Sequence, residues 1–171
     1  MDEQKTIEAL RLDLFMANVN RGMVLTAILR ELRKELGDEK ASVILKQAIY
    51  NHGVNTAKFF TPPDNLKEFK DWLLDFFPGE GKMNEPEILH CDEEKLIVRL
   101  PRCPLKEGWR MFGLTKEEVA DMCRHADSFD KGFFGSFFDY EMELWADRSD
   151  DSCVLHFTAR EKKKEQNNPV T

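Results

Sequence analysis

Three features of the sequence predict an α+β fold, in which an N-terminal helical half packs on a small four-stranded antiparallel sheet with two intervening helices. Apolar residues recur at helical spacing through residues 6–77. Four short segments after residue 86 alternate or run apolar like strands. Pro78-Gly79-Glu80-Gly81 breaks the chain between the two regimes. Residues 1–160 then read as one α+β domain, helical over 1–80 and mixed over 85–160, followed by a polar tail at 161–171 that is expected to fray.

The first helical stretch, Thr6 to Val19, carries Ile7, Leu10, Leu14, Phe15 and Val19. A second, Gly22 to Leu36, carries Val24, Leu25, Ile28, Leu29 and Leu32, and the two form either one long helix or a pair. Gly37-Asp38 reads as a terminating glycine followed by an N-cap. The next helix runs from about Glu39 to Phe60, with Val43, Ile44, Ala48, Ile49 and Val54 expected inward. Gly53 inside it costs about 1 kcal/mol relative to alanine, so it marks close packing or a kink. Thr61-Pro62-Pro63 ends that helix, and Asn65 with Glu68 caps another that extends to about Phe77.

In the second half, Glu87 to Cys91 and Lys95 to Leu100 flank the turn Asp92-Glu93-Glu94. Leu96, Val98 and Leu100 share one face; Ile97 and Arg99 share the other. Pro104 starts a short helix closed by Gly113. Thr115 and Glu118 form a capping box for a helix reaching about Lys131. Phe138, Tyr140, Met142 and Leu144 alternate with Asp139, Glu141 and Glu143, the clearest strand signal in the chain, with its acidic face expected to be solvated. Cys153, Leu155 and Phe157 line one face of a final strand.

The 171 residues carry a formal charge of -7 with cations and acids intermixed, which argues against nucleic-acid binding. No run of consecutive apolar residues approaches a bilayer span, and Met1-Asp2-Glu3-Gln4-Lys5 lacks a signal-peptide pattern, so a cytoplasmic location and no membrane partner are the default expectations. The four cysteines are expected to be reduced, and none forms a Cys-x-x-Cys pair. Thirteen phenylalanines and seven methionines suit a large, adaptable interior and are compatible with a homodimer without requiring one.

Cys103-Pro104-Leu105 and Cys123-Arg124-His125-Ala126-Asp127 carry the chemistry that can be read from sequence. Proline excludes Cys103 from the α region and begins a helix, which puts the thiol at a helix N-terminus, where a thiolate is favoured. Cys123 and Asp127 are one helical turn apart and share a face. His125 lies about 200° round from Cys123 and is expected in solvent.

These segments, with Leu36-Gly37-Asp38-Glu39-Lys40-Ala41, Tyr50-Asn51-His52-Gly53 and the run Asp150 to Phe157, occur in an order that resembles the L-2-amino-thiazoline-4-carboxylic acid hydrolase family over roughly residues 20–160. The resemblance implies a hydrolase that opens a C–N bond in a small cyclic amidine such as a thiazoline carboxylate, on a bacterial route to L-cysteine. A looser likeness, to 4-vinyl reductase type domains, implies a non-catalytic small-molecule-binding domain instead.

The candidate catalytic residues are Cys103, Cys123, Asp127 and Cys153. Cys103 is a nucleophile or metal ligand, or a small residue in a tight turn. Cys123 and Cys153 are site thiols or core residues. Asp127 is a base or ligand, or half of a salt bridge to Arg124 or Lys131. The four residues also admit a thiolate-rich metal site. His52 is placed to reach a pocket between the two halves. The sequence identifies a small-molecule substrate or ligand as the partner, and neither a cofactor nor a resident metal.

Overall fold

The computed structural model describes residues 3–79 and 81–160, so the polar tail at 161–171 lies outside the described residues. The first two helical stretches are one helix, α1 (Glu3–Leu36). By length and composition Gln4–Leu36 is long and apolar enough to cross a membrane, with 22% of its most apolar 18-residue window buried. The helix holds no long unbroken apolar run, and its widely spaced charges leave the apolar average.

Gly37 adopts φ 79°, a conformation glycine enters freely, and its N–H bonds the Arg33 carbonyl at 3.0 Å. It is also the N-cap of α2 (Asp38–Ala57), so Asp38 is the first helical residue rather than the cap. The inward face of α2 differs from expectation. Ala41, Leu45, Ile49, Gly53 and Ala57 are buried, whereas Val43 and Ile44 are 62% and 41% exposed. The cause is the crossing with α5 (Lys116–Phe133). A Cβ on Gly53 would lie 2.3 Å from the Phe129 carbonyl oxygen, and one on Gly132 would lie 2.2 Å from that of Tyr50. The two backbones meet through paired glycines, and the face of α2 with the smallest residues is the one selected.

α3 (Leu66–Phe76) is capped as expected, with Asn65 accepting from the Glu68 N–H. α4 (Pro104–Met111) starts at its proline, and the Thr115–Glu118 capping box of α5 is formed in both directions. The strands are β1 (Glu87–Cys91), β2 (Lys95–Leu100), β3 (Asp139–Glu143) and β4 (Cys153–Thr158). They pair antiparallel in the order β1-β2-β4-β3. Leu96 stands opposite Phe157 and Val98 opposite Leu155, which gives the sheet one continuous apolar face. Asp92 fixes the β1–β2 turn by accepting from the N–H groups of Glu94 and Lys95.

Two cores result. Against the sheet, Leu66, Phe69 and Leu73 of α3 meet Phe133, Phe134, Phe138 and Phe157 in a phenylalanine-rich cluster. The Phe69 ring lies 4.5 Å from Phe138 and 5.2 Å from Phe157, centroid to centroid. The phenylalanine pairs around Gly135 thus belong to this core. In the second, Leu29, Leu45, Trp109, Met122 and Trp145 bring α1, α2, α4 and α5 together beside the start of β4.

Candidate functional site

Helix α5 presents Cys123, Asp127 and Asp130 on one face, at successive turns. Its strong capping box fixes where those turns fall. Opposite them, Cys103 is the N-cap of α4, with φ -148° as its proline requires, and Cys153 opens β4. The three thiols approach closely enough that charge on Cys103 opposes ionisation of Cys123 and of Cys153. The sequence motifs therefore do converge around one corner of the fold.

The corner does not activate the thiols. Burial pushes Cys103 up, and the N–H groups of Leu105 and Lys106 at the helix start only partly oppose it. Burial likewise pushes Cys123 to about 12 and Cys153 to about 11. The expected thiolate at Cys103 is thus overridden by desolvation, which outweighs one short helix terminus. The Trp145 indole N–H donates to the Cys123 sulfur at 3.3 Å. Lys106, only 3% exposed, lies 5.6 Å above the Trp145 ring and donates to the Asp151 carbonyl and carboxylate. Among the described residues no three of His, Cys, Asp or Glu are grouped so as to hold a metal ion, so the thiolate-rich metal set is not assembled.

Asp127 is 5% exposed and forms an ion pair with Lys131, one of the two partners its spacing allowed. The Tyr140 hydroxyl donates to it at 3.4 Å, and burial together with Asp130 and Asp127 pushes that phenol well up. His125 is not in solvent but fully buried. Its Nδ1 donates to the Asp121 carbonyl at 2.8 Å, and its Nε2 accepts from the Ser42 hydroxyl at 2.9 Å. Both ring nitrogens are thereby occupied, one within α5 and one across to α2. His90 is exposed and paired with Asp92.

A cavity of about 260 Å³ opens between α1, α2, α4 and α5. Leu25, Ile49, Leu105, Ala126 and Phe129 supply its apolar wall. Arg21, His52 and Asp130 are its polar groups. The Cys103-Pro104-Leu105 turn contributes Leu105 rather than the thiol. His52 reaches the cavity as its position suggested, and its ring rests 5.4 Å from Phe129. Asp130 is half-buried and makes no hydrogen bond or ion pair among the described residues. Burial and the neighbouring Asp127 raise it to about 7, against the opposing pull of Arg21 and Lys131. Arg21 and Asp130 escaped the sequence reading, although each left a trace. Arg21 interrupts an apolar run of α1, and Asp130 falls one turn beyond Asp127 on the face already singled out.

The profile of the family described as L-2-amino-thiazoline-4-carboxylic acid hydrolase matches residues 17–157. The chain belongs to that family. The match takes in most of α1 and runs from α2 into β4, so the residues that line the cavity lie inside it. No curated protein matches the chain. Among solved structures, the crystal structure of the phenol-responsive sensory domain of the transcription activator PoxR with phenol aligns with a TM-score of 0.46 and 16% identity, covering 82% of this chain and 74% of that one.

Proposed function

We infer that this member of the L-2-amino-thiazoline-4-carboxylic acid hydrolase family binds a small cyclic amidine carboxylate in the cavity between α1, α2, α4 and α5. One observation carries the reading: Asp130 holds an unpartnered carboxyl in a mostly apolar cavity that also contains the Arg21 guanidinium. A carboxyl drawn partly out of water without a close partner is costly to keep charged. Such groups cluster where a ligand supplies what is missing. An amidinium offers N–H donors to Asp130, and a ligand carboxylate pairs with Arg21. Leu25, Leu105 and Phe129 cover the ring between them. A thiazoline carboxylate has both charged groups on a small apolar frame.

Hydrolysis is the second reading, favoured by the position of Asp130 near neutrality, where a carboxylate can accept a proton and return it. Water would bond to the amidine carbon as its proton passes to Asp130. The ring C–N bond would then break as that proton reaches the departing nitrogen and the new hydroxyl closes to a carbonyl, its own proton passing to the freed amine, which leaves an open-chain ammonium. The buried thiols take no part in this route.

Calorimetric titration with 2-amino-thiazoline-4-carboxylate, with chromatography of the same samples for ring-opened product, tests both readings. Saturable binding that Asp130→Asn and Arg21→Met each weaken supports the cavity. Product formation that Asp130→Asn abolishes adds the hydrolase. Binding unchanged in both variants would place the ligand elsewhere.

A further inference from the structure

Across α5 from the cavity lies a groove of about 480 Å³, walled by α2, α5, β3 and the turn after β3. Four cations line it: Lys46, Arg124, Lys131 and Arg148. Three acids line it as well, and each already holds a cation. Asp127 pairs with Lys131, Glu143 with Arg148 and Asp147 with Arg124. Lys46 is left over, with no ion pair or hydrogen bond among the described residues. The Arg124–Asp147 contact is loose at 3.6 Å, between side chains that are 50% and 67% exposed, so that guanidinium is open to a better acceptor.

Ser128 gives the second, independent sign. It is 8% exposed and lines the same groove, yet its hydroxyl has no hydrogen-bond partner among the described residues. The hydroxyl keeps access to the groove, where it is a free donor. It sits mid-helix on α5, where bonding back to its own turn was available and is not used. Met142 and Leu144 supply an apolar floor beside it.

We propose that this groove is a second ligand site, separate from the α1–α2–α4–α5 cavity, which takes a small organic carboxylate. The carboxylate accepts from the Lys46 ammonium and the Ser128 hydroxyl, with Arg124 turning from Asp147 towards it. The apolar body of the ligand lies on Met142 and Leu144. The surplus of one cation over the acids sets the preference for a monoanion over a neutral isostere. Because the groove and the cavity share no lining residue, occupancy of one is distinguishable from occupancy of the other.

The test is a titration of the ¹⁵N-labelled full chain with benzoate, and in parallel with benzamide, followed by amide shifts. Saturable benzoate shifts at Lys46, Ser128 and Met142, absent with benzamide, are expected. Lys46→Met should weaken benzoate by about tenfold, and Ser128→Ala by less. Arg21→Met should leave the benzoate constant unchanged. Lys46 is a helix surface residue, so its variant keeps the fold and the experiment does not depend on Ser128→Ala folding. Equal shifts with benzoate and benzamide, benzoate shifts confined to His52 and Phe129, no saturable shifts at all, or an undiminished affinity in Lys46→Met would each overturn the proposal.

Discussion

Phe133 and Asp130 stand one turn apart on α5, yet they belong to regions built on opposite principles. Phe133 faces a core in which ring packs on ring, with Phe76 5.0 Å and Phe129 5.6 Å away. Asp130 faces the corner shared with α1, α2 and α4, where buried or half-buried groups crowd together: three thiols, Lys106, Tyr140 and two carboxyls. The first region is optimised for stability. The second keeps groups whose titration burial disturbs, and it encloses the cavity. Polar groups retained at a cost to stability point to function more reliably than a reactive residue type does.

The largest effect that would sharpen this contrast is in the aromatic core. Phe69→Ala should cost about 3–5 kcal/mol by urea unfolding, because it empties a site ringed by aromatic neighbours. Gly132→Ala tests the crossing that holds the two regions together. Its Cβ meets the Tyr50 backbone, so a loss of about 2 kcal/mol is expected despite the better helix propensity of alanine. Gly135→Ala, which meets nothing within 4 Å, is the matched control and should change stability little.

The corner should respond in the opposite sense. The folded-state value of Asp130, about 7, lies above its unfolded one, so the folded protein holds the extra proton between roughly pH 4 and 7. Stability from this group is full below that window and falls as pH rises through it. Asp130→Asn should flatten that slope and leave the protein more stable than wild type at pH 8, while losing ligand. A variant less stable at pH 8 would erase the contrast between the regions. The smallest effect is expected at the cysteines. Alkylation followed by mass spectrometry should find Cys123 and Cys153 unreactive until unfolding, with half-buried Cys103 slow at neutral pH.

Much of the fold was legible because local signals agreed with their surroundings. The predicted caps at Asn65 and Thr115 form, although the one expected at Asp38 falls on Gly37, and β1 and β2 run over the predicted residues on either side of the predicted turn. The face of α2 was not legible, because size rather than hydrophobicity decides it: α5 comes so near that Gly53 and Ala41 are chosen over Val43 and Ile44. His125 misled for a related reason. Its partners, Ser42 and the Asp121 carbonyl, come from another helix and from its own backbone, neither of which periodicity weighs. The cysteine motifs meet at one corner of the fold, where burial holds the thiols up. Helix-terminus stabilisation can be read from Cys-Pro, whereas the burial that overrides it depends on tertiary packing. Arg21 and Asp130 meet across more than a hundred residues, a proximity only the fold creates.

The claim that the cavity, with Asp130 as its proton-carrying group, is the functional centre is tested most directly by carboxyl-carbon NMR titration of Asp130 in the free protein and with 2-amino-thiazoline-4-carboxylate. The account predicts a midpoint of about 7 when free, moving down into the ordinary carboxylate range when the ligand amidinium is bound. A free midpoint already in that range, or one that saturating ligand leaves in place, would contradict it.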